Sequence, residues 1–156
     1  MKLETELISD FVDNIETIEV FKPASCSWES TEKEIAENNP YALWNDKTNK
    51  IQTSLWSLAN FVWQIVETNN NDKNYLAARW HIVRGLASCT FWWASGRKIS
   101  SFGHTAWNPD EVERGLNELI RAIRSLDDKK LNSEKIKAEK MCAKLQEMIW
   151  IKHWGK

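Results

Sequence analysis

Apolar residues recur at three- and four-residue intervals along five stretches of this chain, a spacing that gathers them on one face of an α-helix. Residues 3–13 align Leu3, Leu7, Ile8, Phe11 and Val12. Residues 48–68 align Ile51, Leu55, Leu58, Ala59, Val62, Ile65 and Val66, with Trp56 and Trp63 beside the stripe. Residues 72–95 read as one long helix, near 35 Å at about 1.5 Å per residue. Its small residues, among them Ala78, Gly85 and Ala94, allow a neighbour to approach closely, and that approach answers the roughly 1 kcal/mol that Gly85 costs a helix. Residues 108–126 align Val112, Leu116, Leu119, Ile120 and Ile123. The last stretch aligns Ala138, Met141, Cys142, Leu145, Met148 and Ile149. Five glycines and three prolines are too few for a many-turn β architecture. The expected fold is mainly α, an antiparallel helical bundle of four to five helices with one short N-terminal strand at Thr17–Phe21, where Ile18 and Val20 alternate with Thr17, Glu19 and Phe21.

Start and stop signals punctuate this pattern. Asn108-Pro109-Asp110-Glu111 is a helix start, with Asn108 as cap and Pro109 at the first helical position. The Asn69–Asp72 run is expected to end one helix and cap the next, and Asn132 to cap the last, with Leu131 and Ile136 as a hydrophobic staple. Residues 23–47 carry little periodicity but hold Trp28, Tyr41 and Trp44, which predicts an ordered loop. A chain of 156 residues suits a single domain. The expected division is a helix and strand over 1–22, the aromatic loop over 23–47 and the helical bundle over 48–156.

Composition excludes several functions. With 21 basic and 22 acidic residues there is no basic field for a phosphate backbone, so nucleic acid is not an expected partner. No apolar run approaches the roughly 20 residues needed to span a bilayer, and the charged N-terminus has no secretory h-region. Three cysteines, Cys26, Cys89 and Cys142, are odd in number and far apart, which points to a reducing, cytoplasmic setting rather than a disulfide framework. The spacings that hold metals are missing, and no cofactor motif occurs, so neither is expected.

Ten tryptophans stand out, two of them adjacent at Trp92 and Trp93. Neighbouring helical residues point about 100° apart, so one ring is expected in the core and the other against a second surface. On the expected long helix His81, Arg84, Ser88, Trp92 and Ser95 share a face. Such a stripe offers a cation, a hydroxyl, an imidazole and an aromatic plate, which suits a sugar, and it equally suits the solvated or partner-facing side of a bundle helix. Imidazole is the side chain suited to acid–base work near neutrality, so His81 and His104 are candidates for it, but each reads more readily as structural, and Cys89 has no base beside it in sequence. Glycoside hydrolysis needs two carboxylates. Glu29, next to Trp28, is the one acid in an aromatic setting, and no catalytic pair is expected.

The order Ala24-Ser25-Cys26-Ser27-Trp28-Glu29, then Asn39-Pro40-Tyr41-Ala42-Leu43-Trp44-Asn45-Asp46, then Leu55-Trp56, then Ala78-Arg79-Trp80-His81 through Ser88-Cys89-Thr90-Phe91-Trp92-Trp93, resembles the C-terminal helical region of glycoside hydrolase family 57-like proteins. The resemblance spans roughly Ile8 to Leu126. It implies a helical region that closes over the sugar cleft of an incomplete (β/α) barrel, with the catalytic acids on barrel strands that would precede residue 1. It implies that Trp28, Glu29, Trp92 and Trp93 line or support that cleft; with the polar stripe, the expected substrate-binding set is Trp28, Glu29, His81, Arg84, Ser88, Trp92 and Trp93. The chain differs from many relatives in having Cys89 and Thr90 after the serine of its long helix. The expected partners are an oligo- or polysaccharide, and a barrel-encoding chain or a second copy. Alone, such a chain is expected to be inactive on glycosides. The competing expectation is a non-enzymatic α-helical interaction protein with a tryptophan-rich core and a partner-binding face.

Overall fold

The computed structural model describes residues 8–14, 16, 22–23, 25–27, 29–99 and 105–155. The expected strand at Thr17–Phe21, Trp28 and His104 lie outside them. The described chain is mainly helical: α1 (Ile8–Asn14), α2 (Glu32–Ala36), α3 (Lys50–Thr68), α4 (Tyr75–Gly85), α5 (Ser88–Trp92), α6 (Pro109–Ser125), a 3₁₀ turn (Lys129–Leu131) and α7 (Asn132–Trp154). Among the described residues β-structure is limited to one isolated antiparallel bridge, Lys98 to Thr105. No described helix is long and apolar enough to cross a membrane.

The amphipathic stripes account for the core. Leu55, Leu58, Ala59 and Val62 of α3, Val112, Leu116, Leu119 and Ile123 of α6, and Ala138, Leu145 and Ile149 of α7 are buried in one cluster. Helix α6 is the hub, packing on α3, α4, α5 and α7. It starts where its sequence signal lies: the Asn108 side chain accepts from the N–H groups of Asp110 and Glu111, and Pro109 occupies the first turn. Asn49 caps α3 in the same way and also donates to the carbonyls of Ala94 and Ser95, which ties the start of α3 to the end of α5.

Three expectations are corrected. The long helix over 72–95 is two helices, α4 and α5, with Leu86 closing the first and Ala87 in an extended conformation (ψ 137°) between them. Burial supplies the reason. Ile82 and Phe91 are both buried, yet on one continuous helix they would point about 180° apart. The break turns Phe91 back into the core. It also seats Thr90 on α6 at Gly115, where a Cβ would lie 2.0 Å from Thr90 Oγ1. Gly85 likewise brings α4 onto Leu119, 2.6 Å from where its Cβ would be. Second, Asp72 does not cap α4. One carboxylate oxygen accepts from Asn74 N–H and the other accepts from the N–H groups of Asp127 and Asp128, joining two loops far apart in sequence. Third, Asn132 does not cap α7. The chain enters that helix through the 3₁₀ turn, which Asp128 caps at Lys130 N–H.

Candidate functional site

The break between α4 and α5 scatters the expected polar stripe. His81 and Arg84 stay together on α4, and both reach Glu118 of α6: His81 Nδ1 at 2.9 Å and Arg84 Nε at 3.2 Å, on the same carboxylate oxygen. Arg121 meets the other oxygen at 3.2 Å. Glu118 is buried, an unusual place for a carboxylate, and its three donors explain why it is tolerated. The His81 hydrogen bond first, with the Arg84 charge adding to it, holds its carboxyl below the ordinary glutamate value against the opposing effect of burial. An ionised carboxylate only accepts, so His81 donates through Nδ1. The cluster locks α4 to α6.

Ser88 opens α5 and is exposed. Trp92 and Trp93 are half-buried and meet edge to face, ring centres 4.2 Å apart. Trp93 packs on the main core, while Trp92 packs with Trp44 on a second small cluster of Leu43, Ile99 and Ala106. The second surface expected for one of these rings is therefore made by this chain's own loops. Glu29 is half-buried in a turn. That turn is tied to the aromatic loop: Ser27 N–H donates to Ser30 Oγ, and the hydroxyls of Ser27 and Ser30 both donate to the Pro40 carbonyl, next to Tyr41.

The structure assembles a different aromatic site. A cavity of ≈ 370 Å³ lies between the aromatic loop, α3 and α5, and Tyr41, Trp44, Asn45, Trp56, Ser88 and Phe91 line it. Of the expected binding residues it takes in Ser88 alone. Trp56 stacks on Phe91 at 4.0 Å and 17°, and its indole N–H donates to the Trp44 carbonyl at 3.0 Å. Tyr41 is half exposed at the rim, where it also borders a second hollow of ≈ 500 Å³ shared with Ser25, Ile35, Asn38 and Pro40.

One buried side chain holds this cleft together. Gln52 of α3 is fully buried; its amide nitrogen donates to the carbonyls of Leu43 and Phe91, at 2.8 and 2.9 Å, and its amide oxygen accepts from Asp46 N–H at 3.0 Å. It thus joins the aromatic loop and α5 through α3. Asp46 fixes the loop's exit by accepting from the N–H and hydroxyl of Thr48. In the sequence Tyr41, Trp44 and Trp56 speak for order, for packing and for the family resemblance, but nothing there groups them as a binding set. A signal was present in Gln52, a polar residue standing inside the apolar stripe of α3.

A concave surface with aromatic faces, one amide and one hydroxyl can stack on an apolar ring face and hydrogen-bond to its polar edge. No protein-family model, curated protein or solved structure matches this chain.

Proposed function

We propose that this protein binds carbohydrate without hydrolysing it, using the cleft of Tyr41, Trp44, Trp56 and Ser88. The observation that carries the reading is the cleft's lining. Sugar rings present C–H faces that stack on aromatic side chains and hydroxyls that need donors and acceptors at their edge, and Asn45 and Ser88 supply these. Tyr41 borders two adjoining hollows, which favours an oligosaccharide over a single ring. Binding is favoured over catalysis because hydrolysis needs two carboxylates flanking the bond, and the cleft supplies stacking faces, an amide and a hydroxyl. In this reading α3, α4, α6 and α7 form an antiparallel bundle that serves as the scaffold, and the likeness to family 57-like proteins lies in that scaffold and its aromatic loop.

The test is calorimetric titration of the full chain with malto-, cello-, xylo- and chito-oligosaccharides. One class is expected to bind, and Tyr41→Ala, at an exposed position, to weaken it about tenfold, the equivalent of about 1.4 kcal/mol for one stacked ring. Heat signals absent for every class, or an affinity that Tyr41→Ala leaves unchanged, would remove the reading. A second reading, a helical interaction protein, draws support from the outer face of α4, where Leu76, Trp80 and Val83 stand exposed.

A further inference from the structure

The two hollows that meet at Tyr41 repeat one chemical set. In the cleft of ≈ 370 Å³, Asn45 supplies an amide, Ser88 a hydroxyl and Leu86 a branched aliphatic side chain. In the adjoining hollow of ≈ 500 Å³, Asn38, Ser25 and Ile35 supply the same three. These residues come from unrelated elements, so no repeat in the sequence imposes the match. Asn45 lies in the aromatic loop, Leu86 closes α4 and Ser88 opens α5, whereas Ile35 belongs to α2, Asn38 follows that helix and Ser25 precedes it. Tyr41, 49 % exposed, is common to both. Among the described residues no charged side chain lines either hollow. The two asparagines and two serines are all exposed, and among the described residues none of their side-chain polar atoms has a hydrogen-bond partner. Their donors and acceptors are open to a ligand.

We infer that the carbohydrate taken by this surface is a neutral oligosaccharide whose successive rings carry an acetamido group, one unit in each hollow and Tyr41 between them. The inference rests on the carbohydrate reading and narrows it to one substrate class. A ring that carries hydroxyls alone has no group that gains from Leu86 or Ile35. An acetamido group adds a methyl for the aliphatic side chain, together with one N–H and one C=O. Those two need an acceptor and a donor once the methyl leaves water, and the amide of asparagine and the hydroxyl of serine each offer both. Charged sugars fit worse. A uronate or a free amino sugar would lose hydration in a hollow whose described lining holds no opposite charge. A site that repeats its chemical set answers a ligand that repeats its unit. Once the first unit is seated, the second binds within the same molecule and so costs little further translational freedom.

Calorimetric titration of the full chain with three β-linked trimers tests this. They share a backbone and differ only at one ring carbon, which bears a hydroxyl in cellotriose, an acetamido group in N-acetylated chitotriose and an ammonium in the deacetylated form. The acetylated trimer is expected to bind at least about tenfold more tightly than either of the others, the size of effect that one enclosed methyl can give. Ile35→Ser and Asn38→Gly alter the second hollow at exposed positions, and Asn38 has φ 53°, a conformation that glycine adopts freely, so thermal melts of both variants should match wild type. Each is expected to weaken the acetylated trimer about fivefold and to change cellotriose by less than about twofold. Cellotriose or the deacetylated trimer binding as tightly as the acetylated one overturns the inference and leaves the carbohydrate reading standing. A preference for the acetylated trimer that both variants leave intact also overturns it, because the acetamido groups would then be read elsewhere. Heat from malto- or xylo-oligosaccharides with none from the acetylated trimer removes this inference alone, whereas silence from every class removes the carbohydrate reading with it.

Discussion

Replacing Gln52 by methionine keeps the length and nearly the shape of the side chain while deleting all three of its hydrogen bonds. The consequences differ among its partners. The Phe91 carbonyl retains the Ala94 N–H, at 3.2 Å, as a second donor. Among the described residues the buried Leu43 carbonyl and the Asp46 N–H have no other hydrogen-bond partner, so each loses the one it has. A buried polar group left unpaired costs about 1–3 kcal/mol, more for the enclosed carbonyl than for the half-exposed Asp46 amide, and the apolar methionine returns part of this. The expected net loss is about 3 kcal/mol, which for a domain of this size corresponds to a melting temperature lower by roughly 6–12 °C. Urea midpoints followed by circular dichroism, with the slope checked for constancy, give the number. The loop and α5 are joined through this residue, so the oligosaccharide affinity of the folded variant should fall too. A methionine variant within about 0.5 kcal/mol of wild type, with unaltered sugar binding, would refute the argument that these bonds hold the cleft.

Gly115→Ala places a Cβ 2.0 Å from Thr90 Oγ1 and 2.3 Å from its Cγ2, so α5 must lift from α6; overpacking of about 3 kcal/mol, less about 1 kcal/mol of helix propensity, leaves a loss of about 2 kcal/mol in thermal melts, and a variant as stable as wild type would mean that α5 is not seated there. Glu118→Gln should cost about 1–2 kcal/mol at pH 7, the solvent exposure of its arginine partners keeping the figure small. Because the folded Glu118 sits below its ordinary value of 4.5, its contribution is full above that value and is lost as pH falls through the lower folded one, so the two proteins' urea midpoints should converge in acid; a gap that persists unchanged at pH 3 would assign the effect to packing.

Local periodicity revealed the elements whose burial faces one direction throughout. Helices α3, α6 and α7 each keep a single stripe, and Asn108 and Pro109 mark the start of α6 because a cap acts within one turn. The same reasoning fails between α4 and α5, for a reason that was itself open to arithmetic. Phe91 lies nine positions after Ile82 in the chain, half a turn out of phase, and a helix serving one core cannot bury both. Small residues along 72–95 suggested close packing, and Gly85 and Gly115 do allow it, but close packing is as compatible with two short helices as with one long one.

The cleft lay further out of reach because its parts are local and its assembly is not. Tyr41, Trp44 and Asn45 belong to a loop, Trp56 to α3, and Ser88 and Phe91 to a helix that periodicity did not separate. What brings them together is Gln52, bonded to Leu43 nine residues away and to Phe91 thirty-nine away. A glutamine within an apolar stripe can be recognised as a residue that must find buried partners, since leaving its amide unpaired would cost more than the stripe's other members would repay. Which carbonyls it finds depends on where the chain turns at Ala87, and that turn follows from the need to bury Phe91. The same turn sends His81 and Arg84 to Glu118 while Ser88 goes to the cleft, so one backbone break both parts the residues that helical spacing would align and brings the aromatic cleft together.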